Sequence, residues 1–397
     1  FNSAAQVVAD WLEAVVANRG LLTTLDADLR QRLLIAAGQV SRPDKTARRA
    51  QTRAWQRQEK VHRRDQDRSL LAKTEIRELR DNPIFLTPKR LLEYGDAPLP
   101  PPLGELTEER TCYVCRRPYR AIHFFYDQMC VACGDFNFGK RTQAGDLSSR
   151  VALVTGSRVK IGYQAAIMLL RSGCHVIVST RFPRDAARRY GAEQDAADWS
   201  HRLEIHGMDL RHIPSVEAFC EGLKQRHDRL DFIINNACQT VRRPPGFYGH
   251  LMDRELDGAG ALTEQERALL AHDTTALSMD RQGSLPVAAL SQVPLLPGDD
   301  DHGELLFPAG SFDADEQQVD LRDVNSWRLK MAEVPVVELL EVHLVNAVAP
   351  FVLNARLKPL MERAPGADKH IVNVSAMEGQ FYRTFKSDRH PHTNMAK

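Results

Sequence analysis

The sequence lacks the features that would assign the protein to a membrane-spanning, secreted or nucleic-acid-binding class. No apolar run reaches the roughly 18 residues that a membrane-spanning helix needs, and no secretory signal pattern is visible. Lysine and arginine (53) balance aspartate and glutamate (52), and the net charge of +1 favours neither nucleic acid nor an acidic membrane. With 397 residues, of which 43% are hydrophobic and 26% charged, the chain is typical of a soluble protein with two or three domains.

Cysteine is scarce, but its distribution is informative. Four of the seven cysteines form two CxxC pairs with the spacing C-x2-C-x14-C-x2-C. They are Cys112, Cys115, Cys130 and Cys133. Two such turns that face each other complete a tetrahedral sulfur site, which suits zinc and leaves no position for water or substrate. We therefore predict a structural zinc ion, and His123 is an alternative ligand that the four cysteines make unnecessary.

The cysteine pattern also bears on the core of this module and on the cellular location. Metal-binding cysteines are typical of a reducing compartment, so we expect a cytoplasmic protein. The module is too small to fold without metal, and its core is expected to consist of aromatic residues between the two pairs. These residues are Tyr119, Phe124, Phe125 and Tyr126.

Changes in composition divide the chain. Residues 1–96 are predicted to be a helical N-terminal region with a basic arm, and the proline-rich residues 97–108 a linker. Residues 109–145 form the predicted zinc module, and 146–397 an α/β domain. That domain is interrupted at about 242–335 by an insertion rich in proline, glycine and acids.

The basic arm has two interpretations. Residues 42–80 hold 13 lysines and arginines against 6 acids, which suits either a nucleic-acid-binding arm or a solvated helix. The acids are interleaved and no aromatic series is present for base stacking, so we favour the solvated helix and do not expect nucleic acid as a partner.

From residue 150 onward, buried strand patterns alternate with helix patterns, beginning with "RVALVTG" and "YQAAIMLLRSG". Such alternation predicts a doubly wound parallel sheet with helices on both faces, a Rossmann-like α/β fold. The predicted fold is thus α/β, preceded by an α-helical N-terminal region and a small zinc-binding module.

Several motifs in this region resemble those of the short-chain dehydrogenase/reductase family, from about Arg150 to Lys397. "TGSRVKIG" resembles the family's TGxxxGIG turn, with Lys160 in place of the middle glycine, and "NNAC" resembles its NNAG. Such a turn lets backbone N–H groups approach a pyrophosphate at a helix N-terminus. The resemblance implies a set of cofactor-binding residues. They are Gly156, Ser157, Arg158, Lys160, Ile161, Gly162, Asp209, Leu210, Asn236, Ala237 and Lys397.

The end of the second strand bears on cofactor choice. Relatives that prefer NAD place an acid there to accept from the ribose 2′-OH. In "STRFPRDAARR" Arg181 stands at that place, and no acid occurs before Asp185. A cation favours the 2′-phosphate, so we predict NADP(H) as the cofactor.

The resemblance weakens at the catalytic residues. The family uses a YxxxK pair and a serine, and here Lys397 matches the lysine while Thr393 and Ala376 replace the tyrosine and the serine. Asn346 matches the residue that holds a catalytic water, and Ser375 lies one position before the usual serine. Because a threonine hydroxyl cannot act as the acid at neutral pH, the proton donor must be another group.

Two residues are candidates for that proton donor. Tyr382 begins a second YxxxK with Lys386 and could reach the site from a loop. His392, beside Thr393, has a suitable unperturbed pKa.

Two functions therefore stay open. The first is an NADP(H)-dependent oxidoreductase acting on a small-molecule carbonyl or alcohol, and the second is a catalytically lapsed nucleotide-binding scaffold. We expect a homo-oligomer and no membrane association, and a protein partner is expected to bind through the N-terminal helices or the insertion. The insertion is a lid, an interaction surface or a disordered segment.

Overall fold

The structure of the protein is a computed structural model. It describes residues 2–81, 98–141, 145–256, 262–271, 286–299, 305–313, 317–376 and 388–396. The described residues up to Lys140 form one compact unit, and those from Arg141 onward form a second.

The first unit begins with helices. They are α1 (Asn2–Ala17), a 3-10 helix (Arg19–Thr24), α2 (Ala27–Ser41), α3 (Lys45–Ala72) and α4 (Glu75–Asp81). The carboxylates of Asp26 and Asp44 cap α2 and α3 by accepting backbone N–H groups of the first turn. The predicted basic arm is thus largely one continuous helix of 28 residues, and most of its residues are exposed.

A hairpin and a helix complete this unit. They are β1 (Gly104–Thr111), β2 (Pro118–Ile122) and α5 (Val131–Arg141). The predicted linker at 97–108 needs correction, because β1 already begins at Gly104 and pairs with β2. In a buried cluster of this unit, Leu71 of α3 packs with Leu106, Cys112 and Ile122. The α3 helix and the cysteine module therefore share a core and are not separate domains.

The second unit contains the predicted parallel sheet. Its strands are β3 (Val151–Thr155), β4 (His175–Thr180), β5 (Leu203–Gly207), β6 (Phe232–Asn235) and β7 (His370–Asn373). All four neighbouring pairs are parallel, in the order β5-β4-β3-β6-β7. The prediction of a Rossmann-like α/β fold is confirmed.

Helices cover both faces of this sheet. Their bounds are α6 (Lys160–Arg171), α7 (Pro183–Gly191), α8 (Ala196–Trp199), α9 (Ile213–Arg226), α10 (Gly249–Leu256), α11 (Glu264–Ala268), α12 (Val287–Leu290), α13 (Val336–His343), α14 (Ala349–Arg363) and α15 (Pro391–Ala396). One core cluster joins the sheet to α6, α7 and α8, and the other joins it to α9 and α14. Strand residues alternate between the two clusters, as Leu153 and Val154 do, because successive side chains of a strand point to opposite faces.

The described part of the insertion packs on the sheet domain. Phe247, Leu251 and Phe307 form a third buried cluster with Phe182, which follows β4. Leu270 makes a parallel bridge to Ile205 of the edge strand β5.

By length and composition alone, one helix in the described residues, Val336–Arg363, could cross a membrane. It carries Glu338 and Glu341, both buried and ion-paired, and Leu353 and Leu357 belong to the core beneath the sheet.

Candidate cofactor site and candidate metal centre

The turn after β3, which carries residues predicted to bind the cofactor, is tightly packed. Gly156 has φ +65°, and a Cβ at this position would lie 2.7 Å from the Cα of Ala237. A residue with a side chain therefore cannot occupy this position without displacing the backbone. Asn236 donates from Nδ2 to the carbonyl oxygens of Thr155 and Gly156, at 3.1 and 3.0 Å. A Cβ on Gly162 would lie 2.4 Å from that Nδ2, so these predicted residues meet at the carboxyl ends of β3 and β6.

Lys160 shows how the chain tolerates the loss of the middle glycine. It has φ +58°, in the left-handed region that glycine adopts at little cost. Its side chain is half exposed, and Nζ lies 4.0 Å from Asp313 of the insertion. The strain of a non-glycine residue there costs about 1 kcal/mol. Ile161, the next predicted residue, is exposed.

Ser157 and Arg158 lie in the same turn and are both buried. The Ser157 hydroxyl has no hydrogen-bond partner among the described residues, whereas its carbonyl oxygen accepts from the Tyr190 hydroxyl at 2.7 Å. Arg158 donates to Asp185 at 2.7 Å, and Arg189 donates to the same carboxylate oxygen at 2.8 Å. Burial alone would raise the pKa of Asp185, but the two arginines lower it. The acid nearest to the end of β4 is therefore neutralised by two cations.

Arg181 lies against aromatic residues. Its Nη2 donates to the Tyr248 hydroxyl at 2.6 Å, and its guanidinium carbon lies 4.6 Å from the centroid of that ring. Arg158 and Arg181 also lie over Phe182, at 5.4 and 5.5 Å from its centroid. Two guanidinium groups thus surround one ring just beyond β4, and the insertion supplies Tyr248 as a contact for one of them.

Asp209 is held by a residue that sequence reasoning missed. Arg211 donates to both carboxylate oxygens of Asp209, with the shortest contact at 2.7 Å, and also to Glu341 at 2.7 Å. Burial would raise the pKa of Asp209, but the hydrogen bonds and charge of Arg211 lower it. The Asp209 carboxylate is therefore committed to Arg211, although the family resemblance implies that it holds the adenine. Leu210, which follows it, belongs to the core.

The buried charges continue into the insertion. Arg242 donates to Glu341 at 2.5 Å and makes a bidentate pair with Asp299, at 2.6 and 2.7 Å. Acids at 338 and 341 in an otherwise apolar helix pattern were the signal in the sequence, because buried acids require cationic partners.

Asn346 lies in a π-helical turn, Leu344–Val348, between α13 and α14. Its side chain accepts from the Gln239 N–H at 2.7 Å and donates to the Gln239 carbonyl at 3.0 Å. The side chain therefore holds the loop after β6.

The replaced catalytic positions lie in two places. Ser375 and Ala376 follow β7, and Ser375 is exposed. Thr393 is buried, and its hydroxyl donates to the His390 carbonyl at 2.9 Å. His392 is fully buried, with Nε2 2.8 Å from Glu338. Burial would raise the pKa of Glu338, but hydrogen bonds from His392 and from Ser326 lower it.

Three residues of the sequence prediction, Tyr382, Lys386 and Lys397, lie outside the described residues. Their roles stay predictions.

The four predicted zinc ligands converge. All four Sγ atoms lie within 4.8 Å of one another, and those of Cys115 and Cys130 are 3.8 Å apart. Ligand atoms at a tetrahedral zinc–sulfur distance of about 2.3 Å are separated by about 3.8 Å, so this distance fits a shared metal. The Cys130 N–H points to the Cys112 sulfur at 3.4 Å, and Arg116 takes a left-handed φ of +62° that closes the first CxxC turn.

The thiols of this cluster influence one another. Burial alone would raise the pKa of Cys112, but backbone N–H groups, Cys130 first, lower it to about 6. Hydrogen bonding to Cys130, followed by burial, raises the pKa of Cys133 to about 12. One thiolate is therefore favoured, whereas a second is disfavoured because the two negative charges would repel each other. A divalent cation would offset that repulsion.

His123 is a core residue of this unit. It is 1% exposed, and its Nδ1 accepts the N–H groups of Phe125 and Tyr126, at 2.9 and 3.1 Å. The aromatic residues expected in the core are buried.

Comparisons with known proteins agree with the fold. Residues 150–250 match the family model described as short chain dehydrogenase. The uncharacterized protein R665 of Acanthamoeba polyphaga mimivirus is 29% identical over 302 residues, which cover 73% of this chain and 57% of that protein. That share is larger than residues 150–397 make up, so the similarity continues into the chain before residue 150.

Of two further similarities, one covers a shorter stretch of the chain and the other has a lower sequence identity. Mouse retinol dehydrogenase 14 is 31% identical over 118 residues, which cover 26% of this chain and 35% of that protein. The NADP active-site complex of RhlG from Pseudomonas aeruginosa matches at 15% identity over 63% of each chain, with a TM-score of 0.37. This chain thus spans little more than half of the viral relative and about a third of the mouse relative.

Proposed function

We propose that this chain, a divergent member of the short-chain dehydrogenase/reductase family, is an NADP(H)-dependent oxidoreductase. Its substrate would be a small-molecule carbonyl compound or the corresponding alcohol. The observation that carries the proposal is the turn after β3, in which Gly156, Gly162 and Asn236 make a close-packed loop. When bound, the nicotinamide would donate a hydride to the carbonyl carbon or accept one from the alcohol.

The loop fits a pyrophosphate. Gly156 lets the loop pack tightly against Ala237, where a Cβ would lie 2.7 Å from the Ala237 Cα, and the buried Ser157 hydroxyl has no partner among the described residues. The α6 helix begins directly after the loop, so its first N–H groups and its dipole would favour a phosphate.

The preference for NADP(H) rests on the charges beyond β4. Arg181 and Arg158 both lie against Phe182, and Asp185 is occupied by Arg158 and Arg189. No carboxylate is therefore left at this place for a ribose 2′-OH within the described residues, whereas a 2′-phosphate would meet the guanidinium of Arg181, which is bonded to a tyrosine hydroxyl and not to an acid.

A binding experiment tests this preference. Arg181→Asp should weaken NADPH binding by about 10- to 100-fold, because it removes a charge-assisted contact and adds a like charge. Arg356→Asp makes the same change of charge on α14 and should leave binding unaltered. Calorimetry with NADPH and NADH measures both variants, and equal affinities for the two cofactors, or binding of neither, would contradict the proposal.

The chain's own residues would position the substrate and supply the proton. Asn346 holds the loop after β6 through both polar atoms of its side chain, and we propose that it positions a water molecule there. We propose that Lys397 contacts the ribose and that Ser375 orients the substrate. Tyr382 is proposed as the proton donor, since Thr393 donates to a backbone carbonyl and His392 is buried against Glu338.

Turnover measurements test the proton donor. Tyr382→Phe removes one hydroxyl and should slow turnover by roughly 10²-fold while cofactor affinity is unchanged. Tyr113→Phe removes an exposed hydroxyl in the cysteine unit and serves as the control. Unchanged turnover in Tyr382→Phe would exclude this role and point to His392.

A nucleotide-binding scaffold is the second candidate function, and the buried, bonded hydroxyl of Thr393 favours it. If the protein binds NADPH but reduces no compound in a carbonyl panel, even after Thr393→Tyr and Ala376→Ser, the scaffold is the better description.

We also propose a structural zinc ion on the four cysteines. All four ligands would come from the protein, so zinc would contribute to folding and not to the reaction. The fit rests on the sulfur separations and on the N–H that points to Cys112.

A homo-oligomer is proposed from an exposed apolar row on α13 and α14. Val336, Leu340 and Phe351 are 69%, 59% and 72% exposed, and large contiguous apolar surfaces mark interaction sites. Phe351→Glu should reduce the mass measured by light scattering, whereas Lys358→Glu on the same helix should not. A protein partner at the N-terminal helices or the insertion stays a prediction.

A further inference from the structure

A second cluster of metal-binding side chains lies at the opposite end of the sheet from the phosphate loop. His175 is the first residue of β4, Glu204 is the second residue of β5, and His227 directly follows α9. One ligand atom from each lies within 4.8 Å of the others. The phosphate loop follows the carboxyl end of β3, so the two sites are separated by the length of the strands.

Three imidazoles converge on one carboxylate through the same ring atom. The Nε2 atom of His175 lies 2.7 Å from one Glu204 oxygen, and those of His206 and His227 lie 3.4 and 3.3 Å from the other. Strand alternation explains the convergence: Glu204 and His206 are two residues apart on β5, and Glu204 pairs with Ile177, two residues after His175. Three ligands, from His175, Glu204 and His227, thus meet from two strands and a helix end, and His206 contacts the Glu204 carboxylate from outside this group.

The donor set is that of zinc or a similar transition metal. Histidine nitrogen and carboxylate oxygen are both zinc ligands, and imidazole suits zinc, nickel and copper. Ligand atoms bound at about 2.0–2.1 Å in a tetrahedral site are separated by about 3.3–3.4 Å. The His227 contact with Glu204, at 3.3 Å, has this length, whereas the His175 contact, at 2.7 Å, is of hydrogen-bond length and would have to lengthen.

The site is open enough to admit an ion, yet it has a buried side. The side chains of His175 and Glu204 are 31% and 26% exposed, whereas His227 is 13% and His206 5% exposed. The His227 Nε2 is buried, and its contact with Glu204 lacks good hydrogen-bond geometry. A metal ion would satisfy this nitrogen.

We propose that His175, Glu204 and His227 form a divalent transition-metal site of the zinc class, distinct from the four-cysteine cluster, with His206 beside the Glu204 carboxylate. Bound metal would join the end of α9 to the first residues of β4 and β5. The site is independent of the proposed oxidoreductase function, because none of its ligands belongs to the phosphate loop or to the candidate catalytic positions.

Metal stoichiometry of the full chain is the first test. The purified protein is dialysed against Zn²⁺, freed of excess metal, and analysed for zinc per chain. We expect two zinc ions in the wild type and one in each of His175→Ala, Glu204→Gln and Cys130→Ser. His201→Ala, an exposed histidine just before β5, is the matched control and should retain two.

Cobalt distinguishes the two sites. Co²⁺ at the cysteines gives strong thiolate-to-metal charge-transfer absorption, whereas Co²⁺ bound by nitrogen and oxygen gives weaker visible bands alone. Glu204→Gln should lose only the weaker bands, and Co²⁺ affinity at that site should fall by about 100-fold or more. Circular dichroism checks that this isosteric variant is folded.

Two results would overturn the proposal. One is a wild type that binds a single zinc ion and loses it in Cys130→Ser. The other is a folded Glu204→Gln variant that binds two zinc ions and gives the wild-type cobalt spectrum.

Discussion

The unit before Lys140 and the sheet domain after it bury their apolar residues differently. Among the described residues, the first has a small cluster around Leu106, Cys112 and Ile122, in which one metal-ligand candidate is itself a core residue, and a group of buried aromatic residues that pack on Phe138. The sheet domain has a large cluster on each face, held by strands and long helices. Small cores cannot offset the conformational entropy of folding unaided. Metal should therefore decide the stability of the first unit, and packing that of the sheet domain.

Removing a zinc ligand should have the largest effect and would test this comparison directly. Cys130→Ser should abolish zinc binding at the cysteines and unfold their unit, because structural zinc supplies folding free energy. The sheet domain should retain its own thermal transition. Metal analysis and calorimetry measure the two outcomes, and Cys238→Ser, an exposed cysteine outside the cluster, is the control. Unaltered zinc content, or an intact thermal transition of the first unit, in Cys130→Ser would show that metal does not determine the stability of that unit.

Truncating one leucine in each unit should show whether core packing and metal binding are coupled. Leu106 and Leu153 are both buried, and either change to alanine should cost about 2–5 kcal/mol. Leu106→Ala should also speed the transfer of zinc to a chelator, because Leu106 packs in the cluster that contains Cys112. Leu153→Ala should lower only the transition of the sheet domain. If both variants release zinc at the wild-type rate, core and metal are not coupled.

Local sequence patterns predicted much of both units. The CxxC spacing identified the four cysteines, and the alternation after residue 150 identified the parallel sheet, because each signal depends on residues near one another in the chain. Asn346 was predicted from its resemblance to a family residue.

Other features depend on contacts between distant residues. The pairing of Arg211 with Glu341 joins residues 130 positions apart, and the bond from Asp67 to Thr107 joins residues 40 apart. No local pattern specifies such partners. The left-handed φ of Lys160 was not predicted either. The backbone keeps the conformation of the glycine that the family uses there, although the residue is a lysine.

The pH dependence of stability should report on the contact between the insertion and α7 of the sheet domain, which is made by Glu255. Glu255 of α10 accepts the Asp185 N–H at 2.7 Å and the Arg184 N–H at 3.3 Å, at the start of α7. Burial raises the pKa of Glu255 to about 7, and the two N–H groups offset this only in part. The folded protein therefore holds a proton that the unfolded chain releases above its ordinary pKa of 4.5.

Stability contributed by protonated Glu255 is complete below about pH 4.5 and is lost as pH rises toward 7. Glu255→Gln lacks this dependence, so its unfolding free energy relative to wild type should rise by about 2–3 kcal/mol across that range. Urea unfolding at several pH values measures the difference, with the exposed Glu264→Gln as control. Parallel pH profiles for wild type and Glu255→Gln would contradict it.

The smallest expected effect concerns the attachment of α3 to β1 in the first unit. Asp67 accepts the Thr107 N–H at 2.8 Å and hydroxyl at 3.0 Å with one oxygen, and the Glu108 N–H at 3.3 Å with the other. These bonds lie at the surface, so Asp67→Ala should cost only about 0.5–1 kcal/mol. Asp65→Ala on the same helix corrects for the better helix propensity of alanine. Amide exchange at Thr107 and Glu108 should become about 2- to 5-fold faster in Asp67→Ala than in Asp65→Ala, with zinc content unchanged. Equal exchange rates in the two variants would show that β1 is held by the core and the metal alone.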